Sequence, residues 1–283
     1  MMLEDFLKRL VVVDFLLVSE EFQLFIRGTP EFEKESATLR VLTYAEIAAN
    51  YTNHFSRFGS SASDPMPRLA EEEKFLNEAS QRLKRIKDVA KRTKEQYGAF
   101  QESYNSLSED FEWIEGQYLR ECIGRDYKPL FRGNKRETLV NPYGFLYDWV
   151  KCELLDCRAG IEAITKVRDL ETAKNRQTSK LETDKTDLVK LQTGKTLISH
   201  LFSFKSRANG ITSLEKDVEQ LTEETQSLNI IVRIASCRLL EFELPRVKEA
   251  KEAVYAAAMR KFARSSALEC EELGKAFRSI ERD

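Results

Sequence analysis

From Leu188 to Leu214 the chain has no acidic residue, although 47 of its 283 residues are Asp or Glu. The same stretch carries Lys190, Lys195, His200, Lys205 and Arg207, interleaved with Leu197, Ile198, Leu201, Phe202 and Phe204. Cations beside aromatic rings suit non-covalent capture of an anionic surface, because charge attracts and rings sit at headgroup level. Each cation close to such a surface contributes about 1 kcal/mol, less in salt. The competing reading has Leu197, Leu201 and Phe204 closing the core of a helical hairpin. A second basic cluster, Arg125, Lys128, Arg132, Lys135 and Arg136, surrounds Tyr127 and Phe131. It suits lipid headgroups or an acidic partner; a solvated connecting loop explains it as well.

Covalent chemistry finds little support. Thr193-Gly194-Lys195-Thr196 looks like the end of a phosphate-binding loop, but Val189 stands where that loop needs glycine. His54 and His200 are the two histidines, and neither has a partner at metal-ligand spacing. The carboxylates are spread along charged stretches where pairing with Lys or Arg four residues away is their ordinary role. No nucleophile and base stand together, so the sequence points to no enzyme, no metal and no cofactor. The five cysteines, Cys122, Cys152, Cys157, Cys237 and Cys270, form no CxxC pair and are odd in number. They read as buried, reduced thiols of an intracellular protein.

What would position the basic clusters is a set of long helices. Leu76, Ala79, Leu83, Ile86, Ala90, Thr93, Tyr97, Phe100, Tyr104, Leu107, Phe111, Ile114 and Tyr118 alternate at spacings of three and four. Ile211, Leu214, Val218, Leu221, Thr225, Leu228, Val232, Ala235, Leu239 and Phe242 repeat the pattern. Such spacing draws one apolar stripe down a helix. A helix of ~50 residues is roughly 75 Å long. With 33% charged residues, 6 Pro and 11 Gly, the composition suits charged rods with an apolar seam. A net charge of −2 argues against nucleic acid as a partner.

Three segments follow. Residues 1–30 read as short helices with a turn near Val18-Ser19 and a stop at Gly28-Thr29-Pro30. The apolar run Leu10 to Val18, broken by Asp14, is too short to span a bilayer, and Glu4 and Asp5 before it do not fit a leader. Residues 31–67 hold an amphipathic stretch (Leu39, Leu42, Ile47, Tyr51, Phe55, Phe58) and a Ser/Pro-rich linker. Packing against the rods is its expected fate, with shallow insertion into a bilayer as the alternative. Residues 68–283 hold three rods. The first runs from about Arg68 to Cys122; the second starts at Asn141-Pro142, a capping residue before a first-turn proline, and ends near Phe204. The third starts after Asn209-Gly210, with a kink expected at Pro245. The fold class expected is all-α, three long antiparallel helices preceded by short ones.

At this point the chain resembles the sorting nexins that join a PX domain to a BAR domain. Leu3-Glu4-Asp5-Phe6-Leu7 followed by Ser19-Glu20-Glu21-Phe22-Gln23-Leu24-Phe25 looks like the last helices of a PX domain. Residues from about 40 to 280 are similar in layout to the BAR domain, with Tyr147-Asp148-Trp149, Arg168-Asp169-Leu170-Glu171 and Leu240-Glu241-Phe242-Glu243 at comparable places. The PX strands and lipid pocket would precede residue 1, so no residue here is assigned to a phosphoinositide site. The resemblance implies a homo- or heterodimer, peripheral to endosomal membranes, that binds or shapes curved membrane; a structural subunit of a larger assembly is the alternative. It places the basic hairpin of Lys190, Lys195, Phe202, Phe204, Lys205 and Arg207 at the tip of an arm. Tyr97, Phe100, Tyr104, Leu107, Phe111, Leu221, Leu228, Leu239 and Phe242 are the expected seam; the aromatics suit a bundle wider than two helices.

Overall fold

Five of the six prolines stand at or beyond the ends of long uninterrupted runs, and those runs become long helices. The computed structural model describes residues 14–17, 19–28, 30–60, 64–123, 141–193 and 207–281, all-α with no strand among them. Four short helices come first: α1 (Asp14–Leu17), α2 (Glu20–Arg27), α3 (Phe32–Ala37) and α4 (Tyr44–Phe55), the last followed by a 3-10 turn, Ser56–Ser60. Then α5 (Met66–Trp113) passes through a π turn, Ile114–Leu119, into α6 (Arg120–Ile123). Helix α7 is Pro142–Gln192. Helix α8 (Arg207–Arg238) passes through a second π turn, Leu239–Glu243, into α9 (Leu244–Glu281).

The ends follow local chemistry. The Ser19 hydroxyl accepts from the Phe22 amide at 3.2 Å and caps α2, while Gly28 closes it at φ 59°, a conformation that suits glycine. Before α4, Thr43 and Glu46 form a reciprocal capping box. The Thr43 amide, donating at 2.9 Å, holds the Glu46 carboxyl below its usual range, with help from the Thr43 hydroxyl and Arg40. Asn141 caps α7 by accepting from the Tyr143 amide at 3.1 Å, with Pro142 in the first turn. Pro245 lacks an amide proton and its ring crowds the carbonyl four residues back. The π turn just before it absorbs that conflict: the Leu244 amide reaches back five residues to the Leu239 carbonyl.

Two expectations need correction. Asn209-Gly210 does not precede the third rod but lies in the first turn of α8. First-turn amides have no helical partner anyway, so a glycine there weakens the helix less than in its middle. The amphipathic stretch from Leu39 to Phe58 is helical only from Tyr44; residues 38–43 belong to no helix. The second rod is described only as far as Thr193, and the first thirteen residues lie outside the described set.

The chain divides into two compact units. Unit 1 is the chain up to Glu73 with Ile161–Pro245. Its core is the α8 ladder: Leu221, Leu228, Ile231, Val232 and Ile234 are buried, with Ile164, Val167 and Leu181 of α7. Phe58 joins Ile234 and Cys237 in a cluster covered by Tyr51 and Phe55. So the amphipathic α4 packs against a rod, as expected. Arg238 ties this contact: its guanidinium lies 3.7 Å from the Phe55 ring and donates to Glu243 through Nε (3.2 Å) and Nη2 (2.8 Å). Arg57 sits over the rings of Phe58 and Phe242. Replacing Arg238 with alanine removes a ring contact and a forked ion pair from a half-buried site. The expected cost is about 1–3 kcal/mol, read as faster hydrogen exchange of α4 amides.

Unit 2 is Lys74–Gly160 with Arg246–Asp283. Val150, Leu154 and Cys157 of α7 and Ala90 of α5 are buried in it. Aromatic rings link its helices: Tyr97 to Tyr143 at 6.1 Å, Tyr143 to Phe262 at 5.5 Å, Trp149 to Tyr255 at 5.3 Å. The Asn141 amide donates to the Lys94 carbonyl at 2.9 Å, pinning the start of α7 to α5. Between α7 and α9, Lys251 Nζ lies 2.7 Å from Glu153 and 2.5 Å from Asp156. Burial pulls the Lys251 pKa down, but its two carboxylate partners outweigh that and leave it raised. Burial raises the neighbouring Cys157 thiol, against the pull of Lys251.

Candidate self-association surface

The two heptad ladders have different fates. In α8 and the π turn after it, Leu221, Leu228 and Leu239 are buried within unit 1, so these expected seam residues serve the chain's own core. Phe242 is partly exposed but packs on Phe58 at 6.2 Å beneath Arg57. In α5 the ladder splits along its length. Leu76, Leu83, Ala90, Tyr97 and Tyr104, each seven residues apart, face the interior of their unit or its edge. The other line stays exposed.

That exposed line recurs along the helix, with Glu78, Arg82, Thr93 and Gln96 between its apolar members. Phe75, Ile86, Val89, Phe100, Leu107 and Phe111 are all exposed, as are Ile114 and Tyr118 in the π turn that follows. At 100° per residue they fall within one narrow sector of the helix. Phe100 is 48% and Leu107 54% accessible, too much for side chains that their own unit covers. Towards the end of α5, Leu107, Asp110, Phe111, Trp113 and Ile114 line an apolar depression of about 470 Å³. Eight such side chains, each with ~80–110 Å² still in water, offer on the order of 700–800 Å², close to one partner's share of a standard interface. Isolated exposed apolar residues are ordinary, and several on one helix face make a candidate contact surface.

Helix α9 adds a second row. Val247, Val254 and Leu268 are exposed at heptad spacing, with Lys261 at the intervening step. This row went unread in the sequence because a lysine breaks it and α9's many alanines hide its period. The Lys251 and Arg238 clusters were also missed, since their partners are far away in sequence and periodicity says nothing about them.

The basic clusters stand differently. Lys195, Phe202, Phe204 and Lys205, and Arg125, Lys128, Arg132, Lys135 and Arg136, lie outside the described residues; Arg207 starts α8. Lys190 is half-buried and paired with Asp187 at 2.9 Å. Cys122 and Cys270 are exposed, so not all the thiols are buried. Among the described residues no group of three or more His, Cys, Asp and Glu is placed to hold a metal ion, and no helix is long and apolar enough to cross a membrane. What the arrangement offers chemically is apolar association along a helix, with charged flanks. No family profile, no curated protein and no solved structure matches this chain, so the meaning of this surface rests on its own chemistry.

Proposed function

We propose that this chain is a BAR-like scaffold of the sorting-nexin type that works as a dimer on a curved anionic membrane in endosomal trafficking, without catalysis. The observation that carries the proposal is the solvent-exposed apolar row along α5, above all Phe100 and Leu107. A second copy would bury it and complete a bundle wide enough for Phe100 and Phe111. The acid-free stretch from Leu188 to Leu214 and the loop from Arg125 to Arg136 supply the basic residues for the membrane.

A second reading is favoured by one observation. The α9 row of Val247, Val254 and Leu268 offers apolar surface beyond a single seam, which suits a structural subunit of a larger assembly. One experiment separates the two readings: sedimentation of the chain alone, then co-sedimentation with phosphatidylserine-rich vesicles at low and high salt. The expected result is a dimer that pellets with vesicles at low salt and is released by salt, as contacts to anionic headgroups require. A dimer that ignores the vesicles at low salt defeats the membrane reading and leaves the assembly reading. A chain that stays monomeric at micromolar concentration defeats the dimer.

A further inference from the structure

In unit 1, the start of α4 and the middle of α7 enclose an open groove of about 660 Å³, apart from the α5 row. Tyr44 forms one wall; Asp169, Ala173, Arg176 and Lys180 run along the other. Arg176 and Lys180 are exposed, one helical turn apart, and neither has an ion pair or hydrogen bond among the described residues. Their neighbours behave otherwise: Arg168 holds Glu73, Lys174 holds Glu171, Lys185 holds Glu182 and Lys190 holds Asp187. Two like charges four residues apart on a helix repel by about 0.2–0.5 kcal/mol. An anion seated between them turns that repulsion into attraction.

Just before Tyr44 the chain runs through Arg40, Val41 and Leu42, which belong to no helix. Their backbone amides and carbonyls make no hydrogen bond among the described residues. The Val41 side chain is 90% accessible and Leu42 is also exposed. A stretch of backbone without hydrogen bonds among the described residues, ending two residues before the groove's Tyr44, is what an extended peptide pairs with: main-chain bonds supply affinity and alternate side chains supply selectivity. A bilayer surface would leave those amides and carbonyls unused.

We propose that this groove binds an extended peptide of a partner protein with paired acidic and basic side chains, its backbone paired along residues 40–42 and a carboxylate held between Arg176 and Lys180. Asp169 sets the polarity of the ligand. It lies seven residues before Arg176, about 10 Å along the helix axis, and an extended peptide covers that distance in about three residues. The favoured ligand therefore has Asp or Glu at one position, Lys or Arg three or four positions away, and a small apolar residue between them, near Tyr44.

Panning a phage-displayed library of short random peptides against the full chain tests this, with the R176E/K180E variant as counter-selection. The expected consensus pairs an acidic with a basic residue at that spacing. A fluorescein-labelled synthetic peptide of the consensus is expected to bind about thirtyfold more weakly to R176E/K180E in anisotropy. A peptide with lysine in place of its carboxylate is expected to bind that variant and not the parent. Both substituted residues are exposed, so the far-ultraviolet dichroism of the variant should match the parent. No acidic consensus, or a peptide indifferent to R176E/K180E, overturns the proposal. So does the case in which R176E/K180E releases the chain from phosphatidylserine vesicles while peptide binding is unchanged, which would make the groove a membrane contact.

Discussion

Replacing Phe100 and Leu107 together with glutamate yields a folded monomer. Both side chains are about half-exposed in their own unit, so the folded chain loses little by their removal; surface changes of this kind usually stay near ±0.5 kcal/mol. In a seam between two copies the same change is severe. Aromatic anchors at the centre of an interface are each worth about 2 kcal/mol or more, and a glutamate buried without a partner adds a desolvation cost. Each protomer contributes both sites, so the dissociation constant should rise at least about a thousandfold, roughly 4 kcal/mol. Sedimentation equilibrium reads the mass, and thermal unfolding followed by circular dichroism reads the fold. Leu228→Glu is the informative contrast: Leu228 has no exposure at all within unit 1, so that variant should unfold rather than dissociate. If F100E/L107E keeps the parent's mass, the α5 row is not the seam.

Lys251→Met destabilises the chain by about 2–4 kcal/mol, because it leaves two carboxylates facing each other without their shared cation. The Glu153 side chain is 11% and Asp156 25% exposed, against 30% for Lys251; the figure sits at the lower end for a buried pair because water still reaches part of the cluster. A variant in which Lys251, Glu153 and Asp156 all become apolar residues of similar size should recover most of the loss, since the penalty lies in the unpaired charges. The pH dependence has a definite sign. The folded pKa of Lys251 is raised above the ordinary lysine value, so its contribution is fully present below about 10.4 and is lost as pH climbs through the raised value. Urea unfolding of the parent should therefore lose stability above that pH, and Lys251→Met should lack this part of the slope. Equal slopes in the two proteins would show that the cluster does not hold α9 to α7.

Heptad spacing in Leu76 to Tyr118 and Ile211 to Phe242 was enough to place long helices, because a 3.6-residue period is a local property of the chain. Some ends were legible for the same reason: the turn near Ser19, the stop at Gly28 and the start at Asn141-Pro142 act within a few residues of themselves. Pro245 announced a break in the third rod, and the break takes the form of a π turn. All of these are short-range effects.

Which of two like-looking ladders is spent on the chain's own core was not legible. Leu228 and Leu107 sit at similar points of similar patterns, yet one is fully buried and the other largely open. Burial depends on what packs opposite. Helix α4 and its 3-10 turn cover α8 through Phe58 and Tyr51, while Phe100 and Leu107 of α5 stay about half-exposed among the described residues. The pairing of Lys251 with Glu153 and Asp156, and the unpaired state of Arg176 and Lys180, follow from the same cause. The sequence by itself determined an all-α chain of long amphipathic helices and some of their ends, such as Gly28 and Asn141-Pro142. Only the tertiary structure decided which apolar rows and which charges remain available to a partner, because that depends on contacts between residues a hundred positions apart.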